Sequence, residues 1–275
     1  MLMFRMFCIA LTLVWGAVAQ AQDAARTPSH CVALAQNTPG LEYVVQVSLG
    51  AVPEETVRIH YISHASFMIS SHGGLNMVTE CTGFIGGAEF IPDVGTMNHA
   101  HGTHWTATPA PAIPHVLEGW GPFGLGIDHH LDLGEVLVRN VSTDIRSQFS
   151  GVEQKGNSIF IFEIAGLCIG HLGHLHHEPD AEQYAALGRV DVVMAPVDGG
   201  YTLDLETMTR VLKRLRSSVV IPMHWFSLSA LDDFLAGMAD QFTVVEVGGP
   251  ALEISLDRLP SRPTVMVLRP AFLSE

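Results

Sequence analysis

The feature that constrains this chain most is the heptapeptide NHAHGTH at residues 98–104, which places three histidines within six residues. In an extended backbone His99 and His101 project to the same side, because side chains alternate with a period of two. His104 can approach the same pocket from the other side if the chain turns into a helix after Gly102. This spacing is typical of metal ligands. A histidine-rich surface loop is the alternative interpretation.

Further histidines follow apolar runs that read as buried strands. His171 and His174 come at the end of LCIG, and His224 directly follows VVIPM. Ligands gather at the carboxyl edge of a sheet, so these positions suit a binding site. A histidine placed there is either a hydrogen-bonded core residue or a site residue. Together with the heptapeptide, the three positions favour a shared metal site.

The hydrophobic pattern predicts two groups of strands and then an alternation of strands and helices. The expected strands before a proline-rich loop at 106–114 are LEYVVQVSL, VRIHYI, SFMIS and LNMVT. Those after it are GLGIDHHLDL, EVLVRNVS, SIFIFEI and LCIGHL, with a hairpin turn at Gly134-Glu135. In the last third, strands are expected at 191–195, at 218–222 and in QFTVVEV, ALEISL and TVMVLR.

Helices are expected at 205–215, capped by Asp204, and at 231–238, where Ser229 and Asp232 form a capping box. Strands that come first, followed by strand–helix alternation, imply two sheets with helices outside them.

The amino-terminal residues predict export. Residues 1–21 combine Arg5, an apolar run and the small-x-small ending Ala19-Gln20-Ala21, which is the pattern of a cleaved signal peptide. The run is too short to span a bilayer comfortably. We therefore expect a periplasmic or secreted chain, with 22–40 as a tether and 41–275 as one domain. A retained amino-terminal anchor is the alternative.

The composition limits the classes of molecule that this chain can bind. The formal net charge is −14 and only two lysines are present, so a phosphate backbone would be repelled and nucleic acid is excluded. No later segment has the length of an apolar membrane span. Three cysteines follow the signal peptide: Cys31, Cys81 and Cys168. An oxidising compartment allows one disulfide among them, whose pairing the sequence leaves open. We expect Cys31 to attach the amino-terminal tail to the body.

At this point the chain resembles the metallo-β-lactamase superfamily. HAHGTH resembles the HxHxDH signature of that family. The segments SHASFMI, GNSIFIFEIAGLCIGHLGH, VDVVMAPVDGGYTLD and VVIPMHW resemble, in order, those of the branch that includes ascorbate-6-phosphate lactonase-like hydrolases. The resemblance covers Val57 to Phe226. It implies an α/β fold, a four-layer αββα sandwich with a metal site at one edge of the paired sheets.

Carried over residue by residue, the resemblance implies that His99, His101 and His171 bind a first metal ion and that His104 and His224 bind a second. The chain departs from the family at three positions: Thr103 and His174 replace aspartates, and Glu80 stands for the aspartate after Thr79.

Three arrangements stay open. The chain binds one metal ion, or it has a second three-histidine site of His104, His174 and His224, or its second site is lost. All-nitrogen ligation suits zinc, the expected cofactor, and also copper or iron.

Two further residues are candidates for catalysis. Asp198 follows the strand DVVMAP, where it could restore a lost carboxylate, although a turn-forming aspartate is the alternative. Thr103 can hydrogen-bond water but cannot accept its proton as a base. Glu80 is placed to orient a ligand histidine. We interpret His64 as a hydrogen-bonded structural histidine, and a position near the site is the alternative.

The leading functional hypothesis is metal-dependent hydrolysis. Zinc lowers the pKa of bound water to about 7, and the hydroxide attacks an ester, lactone, amide or phosphoester bond of a small-molecule substrate. The scattered arginines disfavour phosphorylated substrates. The rivals are a non-hydrolytic, histidine-ligated metal-binding or redox protein and a degenerate domain that kept the fold for binding. Substrate, native metal and oligomeric state stay open.

Overall fold

The computed structural model describes residues 26–33, 50–99, 101–147 and 151–274. The expected signal peptide, most of the expected tether and the expected strand at 41–49 lie outside the described residues. One member of the histidine heptapeptide, Ala100, also lies outside them.

The strands of the described ranges are β1 Thr56–Ser63, β2 Ser66–Ser70, β3 Asn76–Val78, β4 Val94–Met97, β5 His115–Glu118, β6 His130–Asp132, β7 Val136–Arg146, β8 Val152–Ile164, β9 Leu167–His171, β10 Val192–Pro196, β11 Val219–Met223, β12 Thr243–Glu246, β13 Ala251–Ser255 and β14 Thr264–Val267. The helices are α1 His30–Ala33, α2 Ala181–Leu187, α3 Leu205–Leu215 and α4 Leu228–Met238, with a 3₁₀ turn at Leu256–Arg258.

These strands form two sheets. One has six strands in the order β13-β1-β2-β3-β4-β5, and the other has eight in the order β12-β14-β11-β10-β9-β8-β7-β6. Strands β9, β10, β11, β14 and β12 run parallel, whereas β6 to β9 form an antiparallel meander. The expected hairpin at Gly134-Glu135 is confirmed, because it joins β6 to the antiparallel β7.

The main core lies between the two sheets. Ile59 and Phe67 of the six-stranded sheet belong to one buried cluster with Phe162, Ile169 and Ile221 of the eight-stranded sheet, and all five side chains are fully buried. In the central parallel strands every residue is buried, because the helices cover the second face of the sheet.

The outer faces are covered in two different ways. Met208 of α3 and Phe234 of α4 pack with Val193 and Val220 on the eight-stranded sheet. In the described ranges, loops rather than helices cover the outer face of the six-stranded sheet, and three prolines in 106–114 keep the longest of these loops irregular. The two-sheet α/β sandwich is confirmed, with its helices on one outer face.

Helix α3 begins where the sequence predicts, whereas helix α4 does not. Helix α3 begins after Asp204 as expected, with the Asp204 carboxylate accepting from the Thr207 N–H at 2.9 Å. Helix α4 begins three residues earlier than expected, so the capping box at Ser229 was wrong. The Ser227 hydroxyl accepts from the Ala230 N–H at 3.2 Å instead and caps the first turn.

A disulfide joins the amino-terminal segment to the sheet. Cys31 in α1 is bonded to Cys168 in β9, with their Cα atoms 5.8 Å apart. The expectation that Cys31 attaches the tail to the body is therefore confirmed. Cys81 is a buried free thiol. Within the described ranges, no helix has the length and apolarity needed to cross a membrane.

Candidate metal centre

The two sheets bring several strand ends to one edge of the sandwich. The neighbouring parallel strands β10 and β11 end shortly before Asp198 and His224. In the six-stranded sheet the parallel strands β3 and β4 end shortly before Glu80 and Asn98. Because parallel strands end at the same edge, side chains far apart in the sequence meet there.

Four histidines converge at this edge. His64, from the turn between β1 and β2, lies with His101, His104 and His224 so that one ring nitrogen of each is within 4.8 Å of the others. Three of the four were expected as metal ligands from the sequence. His64 was interpreted as a hydrogen-bonded structural residue, but its Nε2 is buried with no hydrogen-bond partner among the described residues. That interpretation is corrected.

A buried carboxylate orients the first of these rings. His104 Nδ1 lies 2.8 Å from Glu80 Oε2, and both side chains are completely buried. The Asn98 amide donates to Glu80 Oε1 at 2.8 Å and fixes the carboxylate. Burial raises the pKa of Glu80 to about 7. A positive charge close to the ring would favour the ionised form of Glu80.

A second carboxylate orients the opposite ring in the same way. His224 Nδ1 lies 2.8 Å from Asp198 Oδ2. Asp198 also accepts from the Gly200 and Thr202 N–H groups and from the Thr202 hydroxyl, so it forms a turn as well as holding the histidine. Burial alone would raise the pKa of Asp198, but the hydrogen bonds from His224 and Thr202 outweigh it and lower the pKa.

The two oriented rings face each other. The Nε2 atoms of His104 and His224 are 3.2 Å apart. When each Nδ1–H donates to an ionised carboxylate, both Nε2 atoms carry lone pairs, which repel unless a cation lies between them. Two nitrogens bound to one tetrahedral zinc at about 2.0–2.1 Å lie roughly 3.3 Å apart. The donor set therefore fits a metal ion.

His101 completes the group from the heptapeptide. Its Nδ1 lies 2.8 Å from the exposed Thr103 hydroxyl, and its Nε2 lies 3.1 Å from His174 Nε2. No helix follows Gly102; the chain instead makes a turn in which the His104 N–H donates to the His101 carbonyl at 2.9 Å. This turn allows His101 and His104 to present their rings to the same point.

The imidazoles of His64, His101 and His104 are neutral at pH 7, which is the form that binds metals. Burial, together with the neighbouring rings, lowers the pKa of His101 to about 4 and that of His64 to about 3. Burial and His224 lower the pKa of His104 to about 3. Each of these three rings therefore offers a lone pair at neutral pH.

The structure does not bring His171 into the cluster. This side chain is completely buried, and its Nε2 lies 2.8 Å from the Ala65 carbonyl oxygen. Its Nδ1 accepts from the Gly173 N–H at 3.1 Å. Both ring nitrogens are thus used inside the fold, and His171 has the geometry of a hydrogen-bonded core residue.

His99 also points elsewhere. Its Nε2 lies 3.0 Å from Glu153 Oε1, and its ring packs on Trp120 at a centroid distance of 4.6 Å. Of the residues expected at a first metal, the structure therefore places only His101 in the cluster. The two catalytic candidates Thr103 and Asp198 both contact a clustered ring through its Nδ1 atom.

Strained backbone coincides with the cluster. His64, Glu80 and His224 have φ angles of 47°, 47° and 56°, in the left-handed region that is uncommon for residues other than glycine. Such conformations cost about 1–3 kcal/mol each and concentrate at functional sites. A backbone hydrogen bond of 2.9 Å from the His224 N–H to the His64 carbonyl links two of these residues directly.

An exposed aromatic rim borders the histidines. The Phe226 ring lies 5.0 Å from that of His224 and 5.4 Å from that of His64, and Tyr201 packs against Phe226 at 5.4 Å. Phe226 is 60% exposed and Tyr201 is 69% exposed. Large exposed aromatic side chains beside a polar cluster are available to a ligand.

Comparisons with known proteins agree with this geometry. The sequence profile of the family "Beta-lactamase superfamily domain" matches residues 58–224, which contain all the clustered histidines. A UPF0173 metal-dependent hydrolase from Thermoplasma acidophilum is 23% identical over 177 residues, covering 57% of this chain and 79% of that relative. A relative of the same description from Thermoplasma volcanium is 25% identical over 187 residues, covering 62% of this chain and 83% of that relative.

A solved structure has a similar fold. The Thermotoga maritima protein that carries the name of a Zn-dependent hydrolase of the metallo-beta-lactamase superfamily superposes with a TM-score of 0.55 at 25% identity. The superposition covers 77% of this chain and 98% of that protein. The finer placement in the ascorbate-6-phosphate lactonase-like branch stays a prediction. Fold and profile agree, and the chain belongs to the beta-lactamase superfamily.

Proposed function

We propose that this protein is an exported hydrolase that depends on one metal ion, zinc in the first instance, and acts on a small neutral ester, lactone or amide. His64, His101, His104 and His224 hold the ion. The 3.2 Å approach of the His104 and His224 Nε2 atoms supports this proposal most directly, because two lone pairs at that distance call for a cation. The names of the relatives, metal-dependent hydrolases, support the reaction class.

A metal ion held by these residues would act as a Lewis acid, which would polarise the scissile group and lower the pKa of water. The residues of this chain hold and orient it. Glu80 and Asp198 each accept a hydrogen bond from the Nδ1–H of a ligand ring. Together they place two negative charges one imidazole ring away from the cation. These charges offset those lost with the aspartates that Thr103 and His174 replace. Such carboxylates also make the ligand nitrogens more basic.

Three of the four ligands are oriented and one is not. His101, His104 and His224 each have an Nδ1 contact at 2.8 Å that orients the ring, whereas the His64 ring makes no hydrogen bond within the described ranges. A catalytic zinc site needs one position open to water or substrate. We infer that His64 is the ligand that gives way when substrate enters.

The surroundings favour an uncharged substrate with an apolar group. Phe226 and Tyr201 offer aromatic surface beside the cluster. Arg146, which lies near the same rim, donates to the carbonyl oxygens of Gly200, Tyr201 and Thr202 and is not available to clamp a phosphate. The net charge of −14 also disfavours anionic substrates.

Export is part of the proposal. The Cys31–Cys168 disulfide supports it, because such bonds persist in oxidising compartments and are rare in the cytosol. The signal-peptide pattern at residues 1–21 points the same way.

A second candidate function is electron transfer or metal binding without hydrolysis. The observation in its favour is the all-imidazole donor set, which suits copper and iron as well as zinc. Metal content separates the two candidates. Native copper or iron near one equivalent, with reversible reduction and no hydrolysis, would favour the second.

The test is to purify the protein from the exported fraction and to determine its metals by mass spectrometry. The zinc-loaded form is then assayed with aryl esters, lactones, β-lactams and phosphodiesters. We expect about one equivalent of metal and turnover of at least one neutral substrate that is lost in His104→Ala. Full loading without turnover of any of these substrates would contradict the proposal.

A further inference from the structure

A chain of ring contacts begins at a backbone amide and ends in the histidine cluster. The Arg146 N–H donates to His176 Nδ1 at 2.7 Å. His176 Nε2 lies 2.8 Å from His174 Nδ1, and His174 Nε2 lies 3.1 Å from His101 Nε2. Since a backbone N–H only donates, it fixes the direction of every later contact.

The first step assigns the proton on His176. Its Nδ1 accepts from Arg146, so it carries a lone pair, and a ring with one lone pair is neutral with its proton on Nε2. That Nε2–H faces His174 Nδ1, which must therefore accept. By the same rule His174 carries its single proton on Nε2. The result is an N–H group directed at the cluster.

The opposite arrangement places two protons face to face. For His174 to bind a metal through Nε2, its proton would sit on Nδ1 and His176 would have to accept it. His176 would then carry a proton on Nδ1, against the N–H of Arg146 at 2.7 Å. His104 and His224 are the reverse case, because carboxylates hold their protons on Nδ1 and leave Nε2 free.

We propose that His174 is not a metal ligand but a catalytic hydrogen-bond donor, whose Nε2–H stabilises the negative charge that develops on a substrate oxygen. His176 is the positioning residue that fixes this tautomer. The proposal rests on the proposed function, since it needs a hydrolytic reaction at this site. No bond to His174 forms or breaks.

The geometry supplies the donor only when a metal is bound. In the present arrangement the His174 N–H points at His101 Nε2 at 3.1 Å. Once His101 gives that lone pair to a cation, the His174 N–H has no other acceptor within the part of the chain that the structure describes. His174 is 3% exposed, and a buried N–H without an acceptor is costly. A substrate oxygen that accepts from this N–H removes the cost. The hydrogen bond is stronger to the negatively charged oxygen of the transition state than to the neutral oxygen of the bound substrate.

The direct test reads the tautomer by NMR. Zinc-loaded protein with ¹⁵N-labelled histidine is recorded in long-range ¹H–¹⁵N correlation spectra, and the His174 signals are assigned by their loss in His174→Gln. We expect the His174 proton on Nε2 and those of His104 and His224 on Nδ1. In His176→Phe the His174 ring should lose its fixed tautomer. A His174 proton on Nδ1 in the zinc-loaded wild-type protein would overturn the proposal.

Metal affinity provides a second readout that needs no substrate. We expect His174→Gln to bind one equivalent of zinc with affinity within about threefold of wild type, whereas the ligand variant His224→Gln loses at least about 100-fold. Equal losses in the two variants would make His174 a ligand and overturn its role as a donor.

Activity then separates a donor from a spacer. Removing one donor of this kind typically costs about 100- to 1,000-fold in kcat. His174→Leu should show that loss with zinc retained, and His174→Gln, whose amide can donate, should recover most of it. A His174→Leu variant with wild-type kcat would overturn the donor role.

The failure of the proposed function can be told apart from the failure of this inference. If no zinc-loaded form hydrolyses any substrate, both the proposed function and the donor role of His174 are contradicted. A tautomer or affinity failure with activity intact overturns only the role of His174.

Discussion

His104 Nε2 and His224 Nε2 lie 3.2 Å apart, although 120 residues separate them in the chain and each ring directs its other nitrogen at a buried carboxylate. The two halves of this arrangement come from different sheets, since Glu80 follows β3 and Asp198 follows β10. A site in which both carboxylates hold protons on Nδ1 presents two lone pairs to one point. It is therefore complementary to a cation.

The first prediction concerns His64, which the structure places in the histidine cluster, and His99, which it places outside. His64→Ala should lower zinc affinity at least about tenfold, because it removes one of four clustered nitrogens. His99→Ala should leave affinity unchanged, since His99 contacts Glu153 and Trp120 instead. Competition with a chromophoric chelator measures both variants. A larger loss in His99→Ala than in His64→Ala would restore the ligand set implied by the family resemblance.

The carboxylate behind His224 provides the second prediction. Asp198→Asn removes the charge that holds the His224 Nδ1 proton, and zinc affinity should fall about 10- to 100-fold while one equivalent still binds. The matched control is Asp128→Asn, which removes an exposed carboxylate paired with Arg26. Calorimetric titration with zinc compares the two. Equal affinities would show that Asp198 serves the turn alone.

The aromatic rim predicts a substrate preference. Phe226→Ala should raise KM for esters with an aromatic acyl group about threefold to tenfold, because an aromatic pair contributes about 0.5–1.5 kcal/mol beyond its buried area. KM for the corresponding acetyl esters should change little. Phe272→Ala removes another exposed ring, which packs on Phe84, and serves as the control. Equal effects on both ester series would place the substrate's apolar group elsewhere.

The disulfide predicts a difference in stability. Cys31 and Cys168 close a loop of 137 residues, so replacing both by alanine should lower the free energy of unfolding by about 2–5 kcal/mol. Urea denaturation monitored by circular dichroism measures the change. Cys81→Ala leaves the crosslink intact, so reductant should lower its free energy of unfolding by the same amount as that of the wild type. No reductant effect on wild-type stability would contradict the prediction.

A buried histidine away from the cluster predicts the pH dependence of stability. Burial lowers the pKa of His60 below its ordinary 6.5, and the ring donates to the Ala271 carbonyl at 2.7 Å. The unfolded chain therefore binds a proton at higher pH than the folded one. The contribution of the neutral His60 ring to the free energy of unfolding is complete above about pH 6.5 and is lost as the pH falls. The stability difference between wild type and His60→Gln, measured by urea denaturation from pH 8 to 5, should shrink on acidification. A constant difference would argue against it.

Local pattern was sufficient for most of the fold. Period-two alternation and apolar runs predicted the central strands and helix α3, because burial of a strand or a helix face leaves its signature within about ten residues. Short strands such as β4 were not predicted, since four residues carry too little periodicity. The capping box of α2, Asp180 with Gln183, was present in the sequence and could have revealed that helix.

The sequence by itself determined that histidines stand at strand ends and at one loop, because those positions depend on local runs of residues. Which of them share a site was decided by the tertiary structure. A ring's chemistry depends on what faces each nitrogen: His171 has both nitrogens occupied by Ala65 and Gly173, whereas His224 has one held by Asp198 and one directed at His104 in the cluster. Those partners lie up to 106 residues away along the chain, and only the packing of two sheets brings them within hydrogen-bond distance.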